Sequence, residues 1–160
     1  MHSRRRSRQV ALQILFQMDA SSLTAVQAIP LYWQNLRPSD HPQDVDEPRL
    51  ADRAEKVDET EKEDEAGFAE SLVRGVDAQR ESIDQVIREA SEHWRLERMP
   101  AVDRTVLRLG AYELIHLQDT PVRVVLNEAV ELAKRFGSAD SPAFVNGVLD
   151  HIARRVRGAS

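Results

Sequence analysis

Val102-Asp103-Arg104-Thr105-Val106-Leu107-Arg108-Leu109-Gly110-Ala111-Tyr112-Glu113-Leu114-Ile115-His116-Leu117 is the most apolar stretch of the chain. Its apolar residues spread over more than one face of a helix, as expected of a central helix packed by several neighbours. Gly110 sits in the middle, where glycine costs about 1 kcal/mol relative to alanine. That position predicts a close approach by another helix.

The flanking sequence has the same helical spacing. Downstream, Thr120-Pro121 predicts an N-cap and a proline at the first helical position. Gly137 after Phe136 predicts the end of that helix. Ser141-Pro142 repeats the starting signal, and Phe144, Val145, Val148, Leu149 and Ile152 form a last stripe. Arg154, Arg155 and Arg157 follow, with charges suited to the C-terminus of their own helix. Upstream, Pro100 marks a break. Helical spacing is found at Phe68, Leu72, Val73 and Val76, then at Ile83, Val86, Ile87 and Ala90, leading to an apolar Trp94, Leu96 and Met99.

Near the amino terminus, Val10, Ala11, Ile14, Leu15 and Met18 fall within about 140° of helical arc. Ser21 and Ser22 interrupt that stripe, and a second apolar stretch, Leu23 to Leu36, contains Pro30. The proline either kinks this helix or starts its ordered part. No alternating strand pattern or internal repeat is present. The expectation is an all-α protein of about seven helices in one domain spanning 1–160, with a long acidic loop.

That loop is a flexible acidic insertion expected over 38–65, with transient helix near Leu50 to Val57. The stretch from Asp40 to Glu65 holds 12 of the 27 acidic residues and only 4 of the 22 basic ones. The net charge of −5 therefore belongs to one segment, and the rest of the chain is mildly basic. Hydrophobic residues make up 41% of the chain, enough for a packed interior, and aromatics only 5%.

Several chemistries are excluded or unsupported. The chain has no cysteine, which removes disulfides, thiolate catalysis and cysteine-ligated metals. His2, His41, His93, His116 and His151 form no metal-binding spacing. There is no nucleophile elbow, Walker loop or dinucleotide-binding glycine pattern, and the acidic segment lacks calcium-loop spacing. Neither a catalytic residue, a metal nor a cofactor is expected. No apolar run reaches the roughly 18 residues of a membrane span, and no secretory signal follows the basic amino terminus. A cytoplasmic protein with no membrane partner is expected.

Three features suit binding. Arg4, Arg5, Arg6 and Arg8 precede the first apolar stripe, and forked guanidinium groups match phosphate oxygens. On a helix that includes them, Arg5, Gln9, Leu12 and Phe16 lie within about 60° of one another, opposite the core stripe. Phe16 then either stacks on an unpaired base or packs on another helix or a protein. Arg104 and Arg108 share a helical face, for surface ion pairing or for phosphate, and Asp103 stands near the helix N-terminus. Asp140 and Phe144 flank the start of the last helix. Asp140 can accept from a base amine, and Phe144 is either a stacking ring or a core residue.

These blocks resemble the NusB family over nearly the whole length outside the acidic segment. Residues 6–17, Arg-Ser-Arg-Gln-Val-Ala-Leu-Gln-Ile-Leu-Phe-Gln, look like its opening helix. Val102-Asp103-Arg104 with Leu107-Arg108 and Tyr112-Glu113-Leu114 look like its central helix. Asn127-Glu128-Ala129-Val130-Glu131-Leu132-Ala133-Lys134 and Phe144-Val145-Asn146-Gly147-Val148-Leu149-Asp150 are similar to its last two.

The resemblance implies two packed helical subdomains and a transcription antitermination factor. Such a factor binds boxA-type single-stranded RNA of ribosomal RNA leader transcripts together with NusE, a small-subunit ribosomal protein. It then joins other Nus factors on RNA polymerase. The implied RNA contacts are Arg4, Arg5, Arg6, Arg8, Phe16, Arg108, Asp140 and Phe144, with NusE nearer Asp103. The family often has tyrosine where this chain has Phe16. Two other readings are a NusB-like RNA-binding fragment of a ribosomal RNA cytosine methyltransferase and a purely protein-binding helical module.

Overall fold

Seven α-helices follow one another among the described residues: α1 (His2–Ser21), α2 (Ala25–Asn35), α3 (Glu59–Ala78), α4 (Arg80–Ala90), α5 (Ala101–His116), α6 (Val122–Phe136) and α7 (Ser141–Arg157). A 3-10 turn, Leu96–Arg98, lies between α4 and α5. The computed structural model describes residues 2–35, 59–92 and 94–158, and no strand occurs among them. The all-α expectation is met. The chain divides into two compact units, Met1–Val73 and Arg74–Ser160, with the boundary inside α3.

The first unit is built on α1, which is buried around more than its expected stripe. Leu12 joins Val10, Ala11, Ile14, Leu15 and Met18 in the core, with Ala28, Ile29 and Tyr32 of α2 and Ala69, Leu72 and Val73 of α3. Ser22 takes a positive φ of 56° where the chain leaves α1. Thr24 then starts α2 with a reciprocal cap. Its Oγ1 accepts from Gln27 N–H at 3.3 Å, and Gln27 Oε1 accepts from Thr24 N–H at 3.0 Å. Pro30 lies inside α2 rather than at its start. It is exposed, as is Val26 one turn back, so the carbonyl left without its helical donor can reach water.

The acidic segment needs a correction at its end. Residues 59–65, expected as loop, are the first turns of α3. Glu and Lys are good helix formers, and acidic side chains suit a helix N-terminus. A tertiary contact adds to this, since the buried Ser7 Oγ donates to the Glu65 carbonyl at 2.8 Å. Residues 38–58, including the expected transient helix near Leu50 to Val57, lie outside the described residues.

In the second unit α5 is central, touching α4, α6 and α7. Val106, Leu107, Leu109, Ala111 and Leu114 are buried on its several faces. The expected close approach at Gly110 is present. A Cβ there would lie 2.7 Å from a Leu149 methyl of α7, so glycine lets the two helices close up. Gly75 makes similar room, because a Cβ there would fall 2.2 Å from the Tyr112 ring.

The helix ends differ in detail from expectation. Pro121 occupies the N-cap position of α6, and Thr120 lies before it. Asp140 is the N-cap of α7, with no side-chain cap bond. Of the basic tail, Arg154 pairs with Asp150 at 3.2 Å on its own helix. Arg155 reaches Glu89 of α4 at 3.0 Å. Arg157 serves a different helix end: it donates to the carbonyls of Glu113, Leu114 and Leu117 at 3.1, 2.9 and 3.0 Å, and to that of Thr120. One guanidinium thus adds donors to four carbonyls at the end of α5 and in the following turn, of which those of Glu113 and Leu117 also accept from the Leu117 and Thr120 backbone N–H groups.

Candidate nucleic-acid interface

The amino-terminal arginines share one helix but not one environment. Because α1 begins at His2, its helical turn separates them around the axis. Arg4, Arg5 and Arg6 are exposed, while Arg8 is only 5% exposed. Phe68 of α3 lies beneath two of them. The Arg4 guanidinium carbon stands 3.8 Å from the ring centroid, and that of Arg8 stands 5.8 Å away. Both are within cation–π range. Arg8 is therefore buried within the first unit, unlike the three exposed arginines before it. Its own position one turn from Arg4 brings both to the same ring.

Phe16 is 40% exposed on the outer side of α1, as the helical wheel predicts. The stripe assigned with it is only partly external, because Leu12 is in the core. Arg5 is exposed and Gln9 half-buried. Gln13, also half-buried, accepts from the Tyr32 hydroxyl at 3.1 Å. The first unit thus presents cations at the start of α1 and an aromatic ring about two to three turns further along. This pairing suits a sugar–phosphate backbone with an unpaired base.

Two expected contact residues in the second unit are internal. Arg108 is 7% exposed, and its guanidinium engages Asp84 of α4 through two hydrogen bonds, at 2.8 and 3.2 Å. Arg80 stands 3.9 Å from the same carboxylate. Arg108 is therefore a strut between α5 and α4, with its Nε and one terminal nitrogen engaged by Asp84. Asp103 is 5% exposed, and its Oδ1 accepts from Ser141 Oγ at 2.6 Å. Ser141 Oγ in turn accepts from Ser138 N–H at 3.0 Å. The carboxylate expected at a partner surface ties the start of α5 to the start of α7. Arg104 is also engaged inward, donating to the carbonyls of Leu96 and Met99 at 3.3 and 3.2 Å.

Asp140 is exposed at the start of α7, and Phe144 is half-buried one turn later. Phe144 packs edge-to-face with Trp94, centroids 6.1 Å apart and planes at 77°. Trp94, expected in an apolar helical stripe, stands outside any helix and is 61% exposed. Sequence spacing missed it because the helical register stops at Ala90, and beyond that point periodicity no longer predicts a face. Among the described residues no group of three or more His, Asp or Glu could hold a metal. No described helix is long and apolar enough to cross a membrane.

Known proteins of the same kind agree with this architecture. The model of the NusB family matches residues 5–154. The transcription antitermination protein NusB of Myxococcus xanthus is 41% identical over 153 residues, covering 96% of each chain. A solved structure of T. maritima NusB superposes with a TM-score of 0.70 at 34% identity, covering 94% of this chain and 90% of that one. A structure of the antitermination factors NusB and NusE with double-stranded RNA shares the fold, with a TM-score of 0.67 at 24% identity and coverage of 97% and 98%.

Proposed function

This chain belongs to the NusB family, and from that membership we propose that it works as a transcription antitermination factor. In this reading it binds boxA-type single-stranded RNA of ribosomal RNA leader transcripts together with NusE. It then joins the other Nus factors on RNA polymerase, in the cytoplasm and without a catalytic step, metal or cofactor of its own. The observation that carries the reading is the match to antitermination relatives along 96% of the chain.

Physical chemistry supports the RNA contact locally. Arg4, Arg5 and Arg6 supply exposed positive charge at one end of α1, and Phe16 supplies an exposed ring. Asp140 and Phe144 offer a carboxylate and a second ring in the other unit. We assign these six to RNA. Arg8 and Arg108 act from inside, by holding Phe68 and Asp84. Asp103 acts on NusE indirectly, by setting the corner between α5 and α7 through Ser141.

The reading as a fragment of a methyltransferase is less favoured, because the chain matches antitermination proteins over 95–96% of their own length. A purely protein-binding module remains the contrasting case for experiment. Titrations of boxA and scrambled RNA, with and without NusE, at two salt concentrations separate the readings. The expected result is tighter binding of boxA, strengthened by NusE and weakened by salt. Equal affinity for both RNAs in every condition would overturn the selectivity.

A further inference from the structure

Trp94 is held in place while its side chain stands in solvent. Its backbone N–H donates to the Ser91 carbonyl at 3.0 Å. Ser91 is itself buried and donates its hydroxyl to the Ile87 carbonyl at 2.6 Å. Two residues beyond the indole, Leu96 is anchored in the core. The Phe144 ring then meets the indole edge-to-face at 6.1 Å. An apolar ring fixed on both sides of its backbone and braced by a second ring is pre-organised. A ligand that stacks on it loses little freedom in doing so.

The charges around the indole indicate the ligand. Arg95 and Arg98 are exposed at the two ends of the 3-10 turn, three residues apart and so on one side of it. Glu97 lies between them, and its carboxylate is engaged by Arg88 at 3.0 Å. Asp140, one turn before Phe144, exposes a carboxylate able to accept from a base amine. Guanidinium groups beside an open π-face match the two halves of a nucleotide, phosphate and base.

We propose that Trp94 stacks on an unpaired nucleobase of bound single-stranded RNA, with Phe144 bracing the indole and Arg95 and Arg98 facing the adjoining phosphates. This rests on the RNA-binding reading above and adds a base-stacking position within the second unit. Phe144 thereby becomes a positioning residue as well as a lesser contact. An indole offers a larger stacking surface than a phenyl ring, and Trp94 is 61% exposed.

The test uses the full chain and a labelled single-stranded boxA RNA. In a Trp33→Phe background Trp94 is the remaining indole, and the RNA is expected to quench its emission. Trp94→Ala is expected to weaken RNA binding by between about fivefold and a hundredfold, the range of one lost base stack. Trp94→Phe should recover much of that loss and also controls for folding. Unquenched emission and unchanged affinity in Trp94→Ala, while Phe16→Ala still weakens binding, would overturn the stacking role and leave the RNA reading standing. Failure of the unsubstituted chain to bind RNA overturns both. Loss of NusE binding with RNA affinity intact would make Trp94 a protein anchor instead.

Discussion

The Arg108 guanidinium meets the Asp84 carboxylate through two hydrogen bonds, with only 9% and 10% of the two side chains exposed. Removing Arg108 takes both short hydrogen bonds from the buried Asp84 carboxylate and leaves it the longer contact to Arg80 at 3.9 Å. Arg108→Met is expected to destabilise the protein by about 3–5 kcal/mol. Replacing both residues with apolar ones of similar size should restore much of the loss, because no charge is then stranded. Urea unfolding of the single and double variants checks this. An Arg108→Met protein of unchanged stability would return that arginine to the surface.

Arg157 makes a second arginine prediction. Its donors satisfy carbonyls at the end of α5 and in the turn after it. Arg157→Ala should cost about 1.5–3 kcal/mol, the range for hydrogen bonds made by a charged group. Arg157→Lys should recover only part of that, since one ammonium cannot reproduce the planar fork. Hydrogen exchange is expected to report faster opening at residues 113–120.

Gly75 tests close packing. A methyl group there would fall 2.2 Å from the Tyr112 ring. Gly75→Ala is expected to cost about 1–3 kcal/mol through overpacking, despite alanine's better helix propensity. Adding Tyr112→Ala should reduce the cost of the Gly75 change. Additive effects in a thermal-denaturation cycle would refute the contact as its cause.

For RNA, Phe16→Ala should weaken boxA binding by about 1–3 kcal/mol through lost stacking. Arg6→Ala should instead lower affinity similarly for boxA and scrambled RNA and flatten the salt dependence, as expected of a phosphate contact. Affinity measured at several salt concentrations distinguishes the two. A folded Phe16→Ala protein with unchanged affinity would assign that ring to packing alone.

Acid stability follows from Glu97. A backbone hydrogen bond within its own residue and one from Arg88 hold its carboxyl below the ordinary 4.5. A depressed folded-state value means its contribution is present above pH 4.5 and is lost as pH falls through the lower folded value. Arg88→Gln should therefore shallow the acid limb of the stability profile slightly, with less effect at high salt. Melting temperatures between about pH 3 and pH 6 measure it.

Much of the helical plan is legible in the order of the residues. The stripe of α1, the apolar breadth of α5, the tight spot at Gly110 and the end of α6 at Gly137 all follow from residues close in sequence. The exposed position of Phe16 follows too, because a helical wheel holds within one helix. The same reasoning misplaces Trp94, which lies beyond the end of α4, and Leu12, where burial extends past the predicted stripe.

What the sequence alone determined is therefore the all-helical class, the main helical segments and a basic start to α1. Helical periodicity and turn chemistry act over a few residues, and those residues are neighbours along the chain. Which arginines face solvent was decided only by tertiary structure. Arg108 is withdrawn by a carboxylate 24 positions away, and Arg157 by carbonyls up to 44 positions away. A guanidinium binds whatever acceptor the fold brings near, and for those two the fold brought one from another helix.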